Sequence, residues 1–149
     1  MAELVRVFLA GAIAFVYAPG VGVRTEDDPL DLAADGVRQL TVQGIVRLER
    51  ETLETSGIDG VVLRYGYLYG PGTWYDVPAK PPSVHVDAAA HAALLAVRKG
   101  AGIYNIAEDD GAVSSAKAER ELGFDRAFRI PRTACLAPIA GGRSPLRSA

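Results

Sequence analysis

Five side chains that could hold a flat or polar ligand crowd into one short stretch. They are Tyr65, Tyr67, Tyr69, Trp74 and Tyr75, within VVLRYGYLYGPGTWYD, in a chain whose aromatic content is only 7%. Rings offer faces for stacking, and phenol and indole tips need hydrogen-bond partners wherever they are buried. Such groups at the end of a strand suit the wall of a ligand cleft. They equally suit a buried strand that runs into a turn, because Val61, Val62 and Leu63 favour a strand and Gly70-Pro71-Gly72 must end it. On this stretch alone both readings stand.

The other residues that could do chemistry are few. The acidic run TEDDPLDLAADG could pair carboxylates for acid/base work, but adjacent acids in a turn-rich loop read as a solvated surface and receive no catalytic role. His85, His91 and Cys135 show no zinc-ligand spacing, so neither a metal site nor an intramolecular disulfide is expected. His85 reads as a packing or strand-end residue, and Asp87 as a helix N-cap.

The elements that position these groups follow from pattern. With 149 residues, 49% hydrophobic and 23% charged, the chain has the composition of one folded domain, placed at residues 1–130. A Gly-, Pro-, Arg- and Ser-rich tail over 131–149 is expected to be disordered. The net charge of −2 with mixed signs argues against nucleic acid. The apolar run LVRVFLAGAIAFVYA contains Arg6 and is too short for a membrane span, so a strand or strand pair and a cytoplasmic location are expected.

Apolar residues at helical spacing predict a helix from Val37 to Ser56 with two apolar edges, one including Val37, Leu40 and Leu48, the other Val42, Val46 and Leu53. One edge would cover a sheet; the other would meet the rest of this chain or a second subunit. A strand GVVLRY, a proline-rich connector, a helix over residues 88–99, a strand GIYNIAED and a short helix AKAERELG capped by Ser114 or Ser115 follow. Alternating strands and helices predict an α/β layer with a mainly parallel sheet.

Several blocks, in this order, resemble the NAD(P)-dependent epimerase/dehydratase branch of the extended short-chain dehydrogenases/reductases. RVFLAGA resembles its first strand and VYAPGVGVRTEDDPLD the loop before its catalytic helix. LRYGYLYGPG is similar to the family's strand and turn over the nicotinamide and substrate, SVHVDAAAHAALLA to its histidine-valine-aspartate block, GIYNIAEDD and SSAKAERELGF to the segments beyond. The resemblance implies a Rossmann-like, doubly wound fold in truncated form. It further implies NAD or NADP as cofactor, with Gly11 and Gly66 beside it, and Tyr67 and Tyr69 facing the substrate, a nucleotide sugar or a carbonyl compound.

Two departures accompany the resemblance. The glycine-rich turn and the helix that should hold a pyrophosphate do not follow Ala10-Gly11-Ala12, which argues against tight dinucleotide binding. The family's catalytic tyrosine and lysine, placed by counting back from Glu49, fall on Thr41 and Ile45, and its nearby hydroxyl on Ile13, so no catalytic residue is assigned. Two readings follow: an epimerase, dehydratase or reductase with impaired catalysis, or a non-catalytic remnant that binds a ligand or dimerises through the helix from Val37 to Ser56.

Overall fold

The structure is a computed structural model that describes residues 7–131. Cys135 and residues 132–149 of the expected tail lie outside the described residues. Strand β1 (Val7–Ile13) pairs with β2 (Asp59–Tyr65), and β2 with β5 (Gly102–Ile106), giving a three-stranded sheet in the order β1-β2-β5. Both pairings are parallel, in register from Val7 opposite Asp59 and from Val61 opposite Gly102. Strands β3 (Tyr67–Tyr69) and β4 (Ser83–His85) form a second, parallel pair.

Residues alternate between the two faces of the sheet, and helices cover both. Helix α1 (Gly36–Glu54) lies on the face formed by Ala10, Ala12, Val62 and Ile103, packing Ile45 and Leu48 there. Helices α2 (Val86–Lys99) and α3 (Ala116–Leu122) cover the other face. There Val61, Leu63, Tyr104 and Ile106 meet Ala88, Ala92 and Ala96 of α2 and Ala118 and Leu122 of α3. The alanine stripe lets α2 lie close to the sheet, since a larger side chain would hold it off. This is a doubly wound α/β layer with a parallel sheet.

Three expectations need correction. Helix α1 does not bury both apolar edges: Val42 is buried, but Val37 is 82% and Leu40 68% exposed. Asp87 is not the cap of α2; it sits in the first turn, and the cap is His85, whose Nδ1 accepts from the Asp87 N–H at 3.1 Å. The acidic loop is not simply a solvated face. Glu26 accepts the Asn105 N–H at 2.7 Å, and the buried Asp31 accepts from Arg38 Nε at 2.6 Å. These carboxylates fasten residues 14–35, which carry little regular structure, to the sheet and to α1. No helix among the described residues is long and apolar enough to cross a membrane.

Candidate functional site

A cleft of about 540 Å³ opens where β1 and β2 end, lined by residues that include Ile13, Phe15, Tyr65, Gly66, Tyr67 and Trp74. The carboxyl ends of parallel strands are where doubly wound sheets place ligands, because the chain parts there toward opposite faces. A groove of similar volume, about 550 Å³, runs between β1 and α1 past Phe8, Gly44, Leu48 and Ile58. It lies toward the amino ends of the strands, gathers none of the aromatic cluster, and is not the candidate site.

Gly66 sets the floor of the cleft. A methyl group on it would stand 2.8 Å from the Pro82 oxygen and 2.9 Å from its carbonyl carbon. The glycine lets the backbone after β2 run against the 82–83 segment, where Tyr67 N–H donates to the Pro82 carbonyl at 2.7 Å. Tyr67 then stacks flat on Phe15, centroids 4.2 Å apart and planes 4° from parallel. Lys80 holds its ammonium 4.5 Å from the centre of the Tyr67 ring, a cation–π contact. Tyr65 reaches the Ala89 carbonyl at 3.4 Å, and burial pushes its phenol up to about 12.

The two tyrosines assigned to substrate part company. Tyr67 lines the cleft. Tyr69 turns elsewhere, donating to Glu108 Oε1 at 2.6 Å and accepting from Arg129 at 3.2 Å, with His85 edge-on to its ring. Burial, then the hydrogen bond to Glu108, raises its pKa above the ordinary phenol value, so the phenol holds its proton more firmly. Gly11 lies within β1 opposite Leu63, and a methyl there would meet only the Tyr65 ring, at 3.7 Å.

Thr41 and Ile13 come together beside the cleft, in a side pocket of about 280 Å³ that also includes Phe15 and Tyr67. The Thr41 hydroxyl donates to the Val37 carbonyl at 3.2 Å. Ile45, one turn on, packs against Ala10, Ala12 and Val62. Glu49, the next along that helix, is buried and takes two bonds from Arg64, Nε to Oε1 at 2.7 Å and Nη2 to Oε2 at 2.8 Å. Arg64 also donates to the Tyr17 hydroxyl at 2.8 Å, which donates to Asn105 Oδ1 at 2.6 Å. Burial raises Tyr17, the Arg64 charge opposing it. Burial alone would lower Arg64, but Glu49 and Tyr17 outweigh it, so the guanidinium stays charged. This network ties α1, β2, β5 and the 14–35 segment together under the site.

The described residues do not fit a dinucleotide's pyrophosphate. β1 leads into residues 14–35 and not into a helix, and α1 begins behind Asp35, whose carboxylate would repel a phosphate. Among the described residues no group of three or more His, Cys, Asp or Glu could hold a metal ion.

Sequence reasoning missed Phe15 as a member of the site and Lys80 as a neighbour of its Tyr67 ring. Phe15 sits in an apolar run and Lys80 in a proline-rich connector, and only their tertiary contacts with Tyr67 mark them.

The architecture defines a Rossmann-like α/β protein. No protein-family model matches the chain. A 3-diazoavenalumate denitrifying reductase from a Streptomyces species is 37% identical over 158 aligned positions, covering 89% of this chain and 51% of the reductase. Among solved structures, the UDP-glucuronic acid 4-epimerase of Bacillus cereus in complex with NAD matches 83% of this chain and 55% of its own, with a TM-score of 0.58 at 17% identity. MoeE5 in complex with UDP-glucuronic acid and NAD matches 83% and 60%, with a TM-score of 0.63 at 17% identity. The chain spans about half the length of the curated relative it matches. In fold the chain is like these NAD-bound structures, and in sequence it is like that reductase.

Proposed function

We propose that the chain keeps the substrate side of an epimerase/dehydratase and has lost NAD(P)-dependent turnover, so that it acts by binding a ligand in the cleft floored by Gly66. One observation carries this reading. Of the positions matched to the family's hydroxyl, tyrosine and lysine, Ile13 and Thr41 stand at or beside the cleft and Ile45 packs against the sheet one turn on, with no titratable group among them. A proton cannot be given or taken there by side chains that do not ionise. Titration calorimetry of the full chain with NAD and with NADP is expected to show no binding at micromolar concentrations. A micromolar dissociation constant for either would overturn the reading.

The second reading, a reductase or epimerase with weak activity, is favoured by the 37% identity to a reductase. Sensitive assay of nicotinamide oxidation with carbonyl and nucleotide-sugar substrates separates the two. The bare edge of α1, with Val37 and Leu40 exposed, supports a homodimer through that helix. Light scattering should then give twice the chain mass, and a monomer at the highest soluble concentrations would exclude it. A cytoplasmic setting goes with this proposal on composition and charge, and cell fractionation would test it.

A further inference from the structure

Of the substrate classes that the family resemblance brings, the cleft selects by its own chemistry. Its wall is aromatic on several sides: Phe15 stacked with Tyr67, then Tyr65, Trp74 and Tyr75. Trp74 is 96% and Tyr75 48% exposed. An indole left almost wholly in water beside a concave apolar surface gains by being covered.

The polar groups are scarce and mostly engaged. Thr73 Oγ1 is 2.7 Å from the Gly70 carbonyl and 3.0 Å from that of Tyr75. No carboxylate lines the cleft, and Asp76 follows Tyr75 outside the lining. Outside the lining itself, Lys80 holds its ammonium over the Tyr67 face, 4.5 Å from the ring centre. A sugar would bring hydroxyls that need several partners each, and would leave them unmet in such a wall. A flat aromatic ring needs faces, and an acidic substituent on it needs one ammonium.

We propose that the cleft binds a planar aromatic carboxylate, its ring covered by Trp74 and the Phe15–Tyr67 stack and its carboxylate paired with Lys80. This rests on the reading of the cleft as a ligand site and adds the class of ligand. The volume of about 540 Å³ accommodates a fused two-ring acid, within the range of small-molecule sites.

The test uses the full chain and three compounds: 2-naphthoate, the neutral 2-naphthalenemethanol, and UDP-glucuronic acid. Trp74 is the single tryptophan, so indole fluorescence reports on this cleft alone, with calorimetry giving the affinities. The expected order is 2-naphthoate tightest and UDP-glucuronic acid weakest. Trp74→Ala should weaken 2-naphthoate about two- to tenfold, and Trp74→Phe should restore most of it, as a stacked ring pair implies. Lys80→Gln should weaken 2-naphthoate about two- to fivefold and leave 2-naphthalenemethanol unchanged, the size of an exposed ion pair. Both side chains are exposed, so neither change threatens folding.

UDP-glucuronic acid binding more tightly than 2-naphthoate would overturn the ligand class while leaving the cleft a ligand site. Equal effects of Lys80→Gln on acid and alcohol would remove the charge pairing and overturn the proposal. Absence of binding by all three compounds would overturn both the class and the cleft. NAD binding would overturn the proposed loss of turnover without touching the ligand class.

Discussion

Arg64 on β2 grips Glu49 on α1 with two parallel hydrogen bonds, and both side chains are more than nine-tenths buried. Each charge is tolerable only because the other is there. Glu49→Ala strands a buried guanidinium and is expected to cost about 3–5 kcal/mol in urea unfolding. Replacing both, as Glu49→Leu with Arg64→Met, should cost much less than the single change. Equal losses from the single and double variants would show that the pair is not held as a unit.

Gly66 and Gly44 make a matched contrast. Gly66→Ala forces a methyl onto the Pro82 carbonyl, so the backbone under the cleft must move, at about 1–3 kcal/mol. Gly44→Ala on α1 meets nothing within 4 Å and should stabilise by about 0.5–1 kcal/mol, the helix-interior difference between the two residues. Thermal melts of the two variants moving in the same direction would contradict the geometry.

On the proposed matching of Thr41 and Ile45 to the family's tyrosine and lysine, installing that pair is expected to give no turnover. Thr41→Tyr with Ile45→Lys puts a phenol and an ammonium one turn apart, yet hydride transfer also needs a nicotinamide held at about 3–3.5 Å. The new lysine would also enter the apolar contact of Ala10, Ala12 and Val62, lowering stability. Absorbance of reduced nicotinamide should stay flat for the double variant, and turnover above the parent would reveal a cofactor site of another form.

Stability should fall at high pH. Burial raises the phenol of Tyr65 to about 12 from its ordinary 10, and raises Tyr17 as well, against the opposing pull of Arg64. Between those values the unfolded chain has lost a proton that the folded chain keeps. The contribution is therefore complete below pH 10 and is lost as pH rises toward 12, by about 2 kcal/mol for Tyr65. Urea midpoints across this window should decline less steeply in Tyr65→Phe, and an unchanged slope would mean that the phenol is not held neutral by the fold.

The strands and helices could be read from the chain because each carries its own period and its own stop: the apolar run VFLAGAI, the Gly-Pro-Gly after β3, the helical spacing of α1. What could not be read was orientation. Val37 and Leu40 carry the helical period of a buried edge, yet α1 turns toward the sheet on Val42, Ile45 and Glu49 because Glu49 must reach Arg64. The cap of α2 was hidden for a local reason, since His85 takes the Asp87 N–H through a ring nitrogen and histidine is not among the favoured capping residues. Long-range contact hid Glu26, whose partner Asn105 lies 79 residues on, while Asp31 is held by Arg38 at the start of α1. Tyr67 was legible as a cleft residue from its place after the strand, whereas Phe15 and Lys80 needed the fold to bring them to it.

The parallel register of the sheet also sets a timetable. Val7 pairs with Asp59 and Val61 with Gly102, so no strand of the main sheet finds its neighbour close by in the chain. β1, VFLAGAI, has no polar side chain and must await β2, about fifty residues later. At about 5–20 residues per second on the ribosome, that is a delay of about 3–10 s. Loop closure then has to precede any reward from pairing, which places the molecule among slow folders. An apolar strand waiting in water for seconds is a target for chaperones, and the arrangement that gives a doubly covered sheet makes its synthesis the molecule's most exposed moment.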